Sequence, residues 1–144
     1  MSSGEVNVTL FDTTARDGAQ SMPLKNEFPI GSKFEIVDTM AKVGMQVIEV
    51  GFPATLPKED HFGPTEAEEV TEIANRIGRG HGYDVKEWVD HEIVNRVQRN
   101  PVIAGLCRVK PSDIDVTWET VSSADKPRIH TFVSTEDKIG RAHV

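Results

Sequence analysis

Cysteine is almost missing from this chain. Cys107 stands alone, which excludes a disulfide framework and a cysteine-based zinc site. Long apolar runs are missing too: none approaches the roughly 18 residues of a membrane span. The N-terminus lacks the charged and apolar regions of a secretory signal, so a cytoplasmic location is expected. There is no excess of positive charge. Lys and Arg total 16 against 23 Asp and Glu, a net charge of −7, which argues against a nucleic-acid or anionic-membrane surface. No Gly-x-Gly-x-x-Gly follows the first apolar run, which weakens a dinucleotide-binding reading. What remains is 144 residues, 38% apolar and 27% charged, without low-complexity tracts. That is enough for one domain with a core.

Apolar periodicity alternates between two kinds along the chain. A first strand is predicted at about Val6–Phe11 and a helix at about Lys33–Gly44, with Ile36, Val37, Met40 and Val43 on one face. Ser32 and Glu35 have capping-box spacing at its start. A second strand, Val47–Val50, ends at Gly51-Phe52-Pro53. The next helix is predicted from about Thr65 to Ile77, with Thr65 and Glu68 as its capping box and Ala67, Val70, Ile73, Ala74 and Ile77 as its stripe. After a glycine-rich break at residues 78–82, Val85, Trp88, Val89, Ile93 and Val97 keep helical period, which predicts a second, consecutive helix. A third strand at about Val102–Val109 follows. Then come a helix at about Ser112–Ala124, with Ile114, Trp118 and Val121 inward, and a fourth strand at Arg128–Val133.

Strands alternating with helices predict a parallel sheet with βαβ crossovers. Either an open doubly wound sheet or a barrel satisfies that pattern. A (β/α)8 barrel needs roughly 250 residues, and four strands make about half of one.

The most specific stretch is Asp12-Thr13-Thr14-Ala15-Arg16-Asp17-Gly18-Ala19-Gln20. It places an Arg, two carboxylates and an amide in the loop after the first strand. A carboxylate beside a guanidinium suits the joint holding of a divalent metal and an anionic substrate.

This stretch resembles the Asp-Thr-Thr-Leu-Arg-Asp-Gly-Glu-Gln signature of the 2-isopropylmalate, homocitrate and citramalate synthase family. Residues 47–53, 103–108 and 128–135 look like that family's second, third and fourth strands, and the last three motifs look most like its 2-isopropylmalate synthase branch. The resemblance covers about residues 6–137. It implies an α/β fold, the N-terminal half of a (β/α)8 TIM barrel, and a divalent cation (Mn, Mg or Zn). It also implies Claisen condensation of acetyl-CoA with a 2-oxo acid, here 2-oxoisovalerate, in leucine biosynthesis. By the same resemblance the full-length parent is expected to be a homodimer, with no nucleic-acid or membrane partner. Citramalate- or homocitrate-forming relatives, or a noncatalytic half-barrel, are the alternatives.

Carried over position by position, the resemblance makes Asp17 an oxygen ligand to the metal and Arg16 the catalytic group that stabilises developing negative charge. Gln20, Glu49, His130 and Thr135 become substrate contacts. Thr135, just past the fourth strand, fits a turn role equally well. Ala15 and Ala19 stand where the family has Leu and Glu, and the segment Arg79–Asn100 is longer than the family's usual link. The family's second half, with its His-x-His metal pair and much of the acyl-CoA site, has no counterpart here. Four βα units alone are therefore expected to be inactive and prone to associate.

Other reactive side chains read as structural. Arg108 is an ion-pair partner or a substrate contact. Cys107 is a small buried strand residue. His81, Asp60, His61 and the Asp90/His91 pair read as solvated surface. Residues 1–138 are expected to form the partial barrel and 139–144 a non-native tail. The tail Ile139-Gly140-Arg141-Ala142-His143-Val144 matches one reading frame of a common sequencing adapter, and the two preceding adapter bases complete a lysine codon for Lys138.

Overall fold

The computed structural model describes residues 4, 6–19, 29, 31–57, 59–80 and 82–135. Its centre is a four-stranded parallel sheet made of β1 (Phe11–Asp12), β2 (Val47–Gly51), β5 (Val102–Arg108) and β6 (Pro127–Phe132). In the chain, β2 and β5 are separated by a distinct antiparallel pair, β3 (Tyr83–Val89) and β4 (Glu92–Gln98), which is not part of this sheet. Helices α1 (Ser32–Lys42), α2 (Glu66–Arg76) and α3 (Pro111–Val121) supply the crossovers.

The order β1-β2-β5-β6 adds each parallel strand on the same side of the last. A doubly wound sheet would reverse at a switch point, and this one does not. Consecutive helices also touch, α1 on α2 and α2 on α3. One-directional growth with a single ring of helices is the plan of a (β/α)8 barrel, of which these are four strands.

The core fills the space between the sheet and the helices. Ile48 and Val50 of β2 and Ile103 of β5 pack with Val37 and Ala41 of α1, Val70, Ile73 and Ala74 of α2, and Val121 of α3. Burying each of the Val and Ile side chains contributes about 1.5–3 kcal/mol. Strand pairing slips between Glu49 and Gly51, where Glu49 opposes Ala104 and Gly51 opposes Gly105. The slip breaks strict alternation. Gly51 therefore meets α2, and a Cβ there would lie 2.5 Å from Glu66 Oε1 and 2.7 Å from Val70 Cγ2.

The close approach serves a polar clamp. Glu66 Oε1 accepts from the buried Lys33 Nζ at 2.7 Å and from the Phe52 backbone N–H at 3.0 Å. Lys33 also reaches Glu69 Oε2 at 3.4 Å. Burial pushes the Glu69 carboxyl up from its ordinary value, against the downward pull of Lys33.

The start of α2 follows its local code. Thr65 accepts from the Glu68 N–H at 3.2 Å, and Glu68 Oε2 accepts from the Thr65 N–H at 2.7 Å. The start of α1 does not. Its cap is Gly31 at φ 86°, so Ser32 is already helical and makes no cap bond. The α1 stripe is rotated as well: Lys33, Val37 and Ala41 are buried, whereas Val43 is 67% exposed.

Three further expectations are corrected. The consecutive helix over Val85–Val97 is the β3–β4 hairpin, closed by Asp90 and His91 at φ 49° and 67°. Two successive positive φ values make the tight turn whose twist matches a β-ribbon, and β-branched residues on both arms suit the pleat. The first strand is shorter than expected, because only Phe11 and Asp12 pair with β2. Val6, Val8 and Leu10 are exposed. On α3, Trp118 is 49% exposed and the inward residues are Asp113, Thr117, Thr120 and Val121. Gly105 decides this rotation: a Cβ there would sit 2.7 Å from Thr117 Cγ2, so the helix lies close with its small residues inward. The Thr117 hydroxyl is satisfied by the Asp113 carbonyl at 2.7 Å.

Candidate active site

The loop after β1 tightens into one π-helical turn, Thr14–Gly18. Asp12 prepares it: its carboxylate accepts from the Thr14 N–H at 3.0 Å and from the Thr14 hydroxyl at 2.9 Å. Ala15 is fully buried in the core and pins the turn from below. The turn then delivers Arg16 across the sheet to Glu49.

Glu49 is the centre of the arrangement. Its side chain is wholly buried in β2. Arg16 Nε donates to Glu49 Oε1, and His130 Nδ1 of β6 donates to Glu49 Oε2. A buried carboxylate needs both oxygens satisfied, and a cation beside it offsets its desolvation. The second ring nitrogen of His130, Nε2, is left free of Glu49. His130 also meets Phe11 edge-to-face, ring centres 5.6 Å apart at 78°. Arg16 NH1 reaches Asp17 Oδ1 at 3.1 Å, and Asp17 stays largely exposed.

Three of the six candidate residues, Arg16, Glu49 and His130, thus form one bonded cluster, and Asp17 adjoins it. It stands toward the C-terminal ends of parallel strands, where barrel and open α/β sites lie. Thr135 is exposed beyond the end of β6. Gln20 lies outside the described residues, as do His81 and the expected tail 139–144. Asp12 opens the motif and Phe11 precedes it, but neither carries a site role from sequence. The Asp-x-Thr spacing is a local signal for the first, and nothing local signals the second.

Arg108 is an ion-pair partner. Its Nε donates to Asp113 Oδ2 at 2.6 Å and its guanidinium lies 6.0 Å from the Phe52 ring centre. The hydrogen bond from Arg108 holds the Asp113 carboxyl below its ordinary value and raises Arg108 in return. An ionised Asp113 therefore adds stability above the ordinary carboxylate range, and this is lost as pH falls through its lowered folded value. The urea midpoint of the parent chain should thus fall more steeply than that of Asp113→Asn between roughly pH 6 and pH 2. Parallel curves would contradict the assignment. Cys107 is free and buried, and burial pushes its thiol up, away from a reactive thiolate.

Among the described residues no group of three or more His, Cys, Asp or Glu could hold a metal ion. Asp17 offers one hard oxygen ligand, which is not a metal centre by itself. Nor is any helix among them long and apolar enough to cross a membrane.

A parallel sheet growing in one direction, with a buried carboxylate clamping an Arg and a His at its C-terminal end, defines a TIM-barrel type of site. The chain belongs to the HMGL-like family, whose model matches residues 7–142. It is similar to 2-isopropylmalate synthase B of Solanum pennellii, 38% identical over 130 residues, which are 90% of this chain and 18% of that protein. It is also similar to the 2-isopropylmalate synthase of Pelotomaculum thermopropionicum, 35% identical over 130 residues, 90% of this chain and 20% of that one. The same holds for the 2-isopropylmalate synthase of Prochlorococcus marinus strain AS9601, 34% identical over 137 residues, 95% of this chain and 20% of that one. The chain spans about a fifth of the length of these curated relatives.

Proposed function

We propose that this chain is part of a cytoplasmic, divalent-metal-dependent acyltransferase that condenses acetyl-CoA with 2-oxoisovalerate to give 2-isopropylmalate. The observation that carries this reading is the Glu49 bridge, which holds Arg16 and His130 at the mouth of a family sheet. The similarity to 2-isopropylmalate synthases supports the choice of reaction.

In the reaction the methyl carbon of acetyl-CoA gives up a proton and bonds to the keto carbon of the oxo acid, whose oxygen takes the electron pair and a proton to become the hydroxyl; water then cleaves the thioester to release CoA. A divalent metal, when bound, polarises the keto group as a Lewis acid. Asp17 is the residue of this chain that would ligate it. Arg16, oriented by Glu49, keeps further N–H donors for the oxygen that gains charge. His130 and Phe11 form a wall beside it. Glu49 has both oxygens engaged, so it positions Arg16 and His130 rather than holding substrate itself. Gln20 and Thr135 are the remaining proposed substrate contacts, and residues 1–138 the proposed catalytic unit.

The alternative reading is a noncatalytic half-barrel. The longer protein that carries this segment separates the two. With acetyl-CoA and 2-oxoisovalerate it should release free CoA thiol, stop with EDTA, and lose about 100-fold or more in rate as Arg16→Gln. CoA release with pyruvate instead would turn the reading to citramalate synthesis. No release with any 2-oxo acid would overturn it.

A further inference from the structure

The barrel plan has no use for the β3–β4 hairpin, but the root of that hairpin closes a cavity. About 400 Å³ lies between α1, the C-terminal end of α2 and the start of β3, lined by Phe34, Asp38, Arg76, Arg79, Tyr83 and Asn100 among others. A volume of this order takes a small molecule. None of the lining residues belongs to the Glu49 cluster.

The wall that carries Arg79 is held from outside. The Ile77 carbonyl accepts from Asn100 Nδ2 at 2.9 Å, and the Asn100 carbonyl accepts from Lys126 Nζ at 3.1 Å. The Gly78 carbonyl accepts from the Asp125 N–H at 2.8 Å, and Asp125 Oδ2 accepts from the Gly80 N–H at 3.1 Å. Gly80 and Gly82 take φ of 117° and 88°, which turns the chain sharply from α2 into β3. A wall fixed in this way costs a ligand little ordering.

The polar groups divide into those committed and those left over. Asp38 accepts from the Tyr83 hydroxyl and pairs with Lys42. Burial and the Asp38 charge push the Tyr83 phenol up to about 12, so it keeps the proton it donates. Arg76 reaches Glu72 at 2.7 Å and lies over the Phe34 ring, 4.4 Å from its centre. Its charge is shared, and it acts as wall rather than grip. Arg79 has no carboxylate partner among the described residues. Asn100 is 6% exposed, and one N–H of its amide has no acceptor among them. Buried donors are normally satisfied. The carbonyls that end α2 would repel an anion, but they are engaged: Ile73 by the Ile77 and Gly78 N–H groups, Ile77 by Asn100. What remains is one guanidinium fork and one amide donor beside the apolar Phe34 and Ile77. In a chain of net charge −7 that combination selects a negative ligand.

We propose that this cavity binds a small organic carboxylate, its oxygens on Arg79 and the Asn100 amide and its apolar body against Phe34, Ile77 and Tyr83. A planar carboxylate matches the guanidinium fork through two parallel hydrogen bonds. One unshared guanidinium balances one negative charge, which favours a carboxylate over a phosphate dianion. The site is separate from the Glu49 cluster and does not rest on the proposed catalysis.

Tyr83 is the only tyrosine of the chain, so labelling tyrosine with carbon-13 at Cζ puts a single reporter in the cavity wall. Benzoate titrated into the full chain should shift that resonance saturably. Benzamide, its neutral counterpart, should bind about 10-fold more weakly or worse, and so should benzoate to Arg79→Gln. Arg99→Gln, which removes an exposed charge outside the lining, should leave benzoate binding unchanged. An unmoved resonance, equal binding of benzamide, or undiminished binding to Arg79→Gln overturns the proposal. Equal losses in the two Arg variants overturn it as well, because they would reflect net charge alone. So does saturation by inorganic phosphate but not by benzoate, which would assign the cavity to an inorganic anion.

Discussion

Glu49→Ala is expected to lower the unfolding free energy of this chain by about 3 kcal/mol, the low end for breaking a buried ion pair from one side. The carboxylate is fully buried and serves two donors on different elements, Arg16 after β1 and His130 on β6. Its removal leaves Nε of the Arg16 guanidinium, only 16% exposed, without its acceptor, and Asp17 alone on NH1. His130 is 42% exposed and can turn to water, which keeps the cost from the top of the range. Glu49→Gln should cost about half as much. Its single carbonyl oxygen can accept from Arg16, while its amide can donate only to a His130 that has shifted tautomer. Urea unfolding of the three proteins measures this. A double-mutant cycle with Arg16→Ala should give a coupling of about 1–3 kcal/mol, and independent, additive losses would show that the bridge is not made. On the proposed function, the same change in the longer protein should slow CoA release by about 100-fold, through a misplaced Arg16.

The second large effect is expected at a position with no side chain. Gly78 follows α2 where three elements converge. A Cβ there would lie 2.6 Å from Ile103 Cγ1, 2.7 Å from the Ala124 Cβ and 2.9 Å from the Ala74 backbone oxygen. None of these is the tip of a flexible chain. Ile103 is fully buried near the start of β5, Ala74 is helical, and Gly78 itself accepts from the Asp125 N–H at 2.8 Å. Gly78→Ala should therefore destabilise by about 2–3 kcal/mol through overpacking, despite the backbone entropy that Ala normally saves. The double variant with Ile103→Ala should lose clearly less than the sum of the two single changes, since each relieves the other. If Gly78→Ala is neutral by urea unfolding, α2 does not approach β5 this closely.

Sequence alone determined whatever depends on neighbours a few residues apart. The Thr65–Glu68 capping box, the α2 stripe and the apolar strands β2 and β5 are local patterns, and they stand where the periodicity put them. The family motif was equally legible, because its residues are contiguous. Local pattern misled wherever two structures satisfy the same spacing. Val85, Trp88, Val89, Ile93 and Val97 fit a helical stripe, yet their β-branched and aromatic character and the Asp90-His91 turn make them a hairpin. Ser32 and Glu35 fit a capping box that Gly31 makes unnecessary. Trp118 looked like core until Gly105 drew the threonines of α3 inward.

Only the tertiary structure decided that Glu49 joins Arg16 to His130. The first pair is separated by 33 residues and the second by 81. A charge in an apolar strand announces that it needs a partner, because burying it unpaired is prohibitive. Which partner it finds depends on the order and register of β1, β2 and β6, and no run of adjacent residues encodes that.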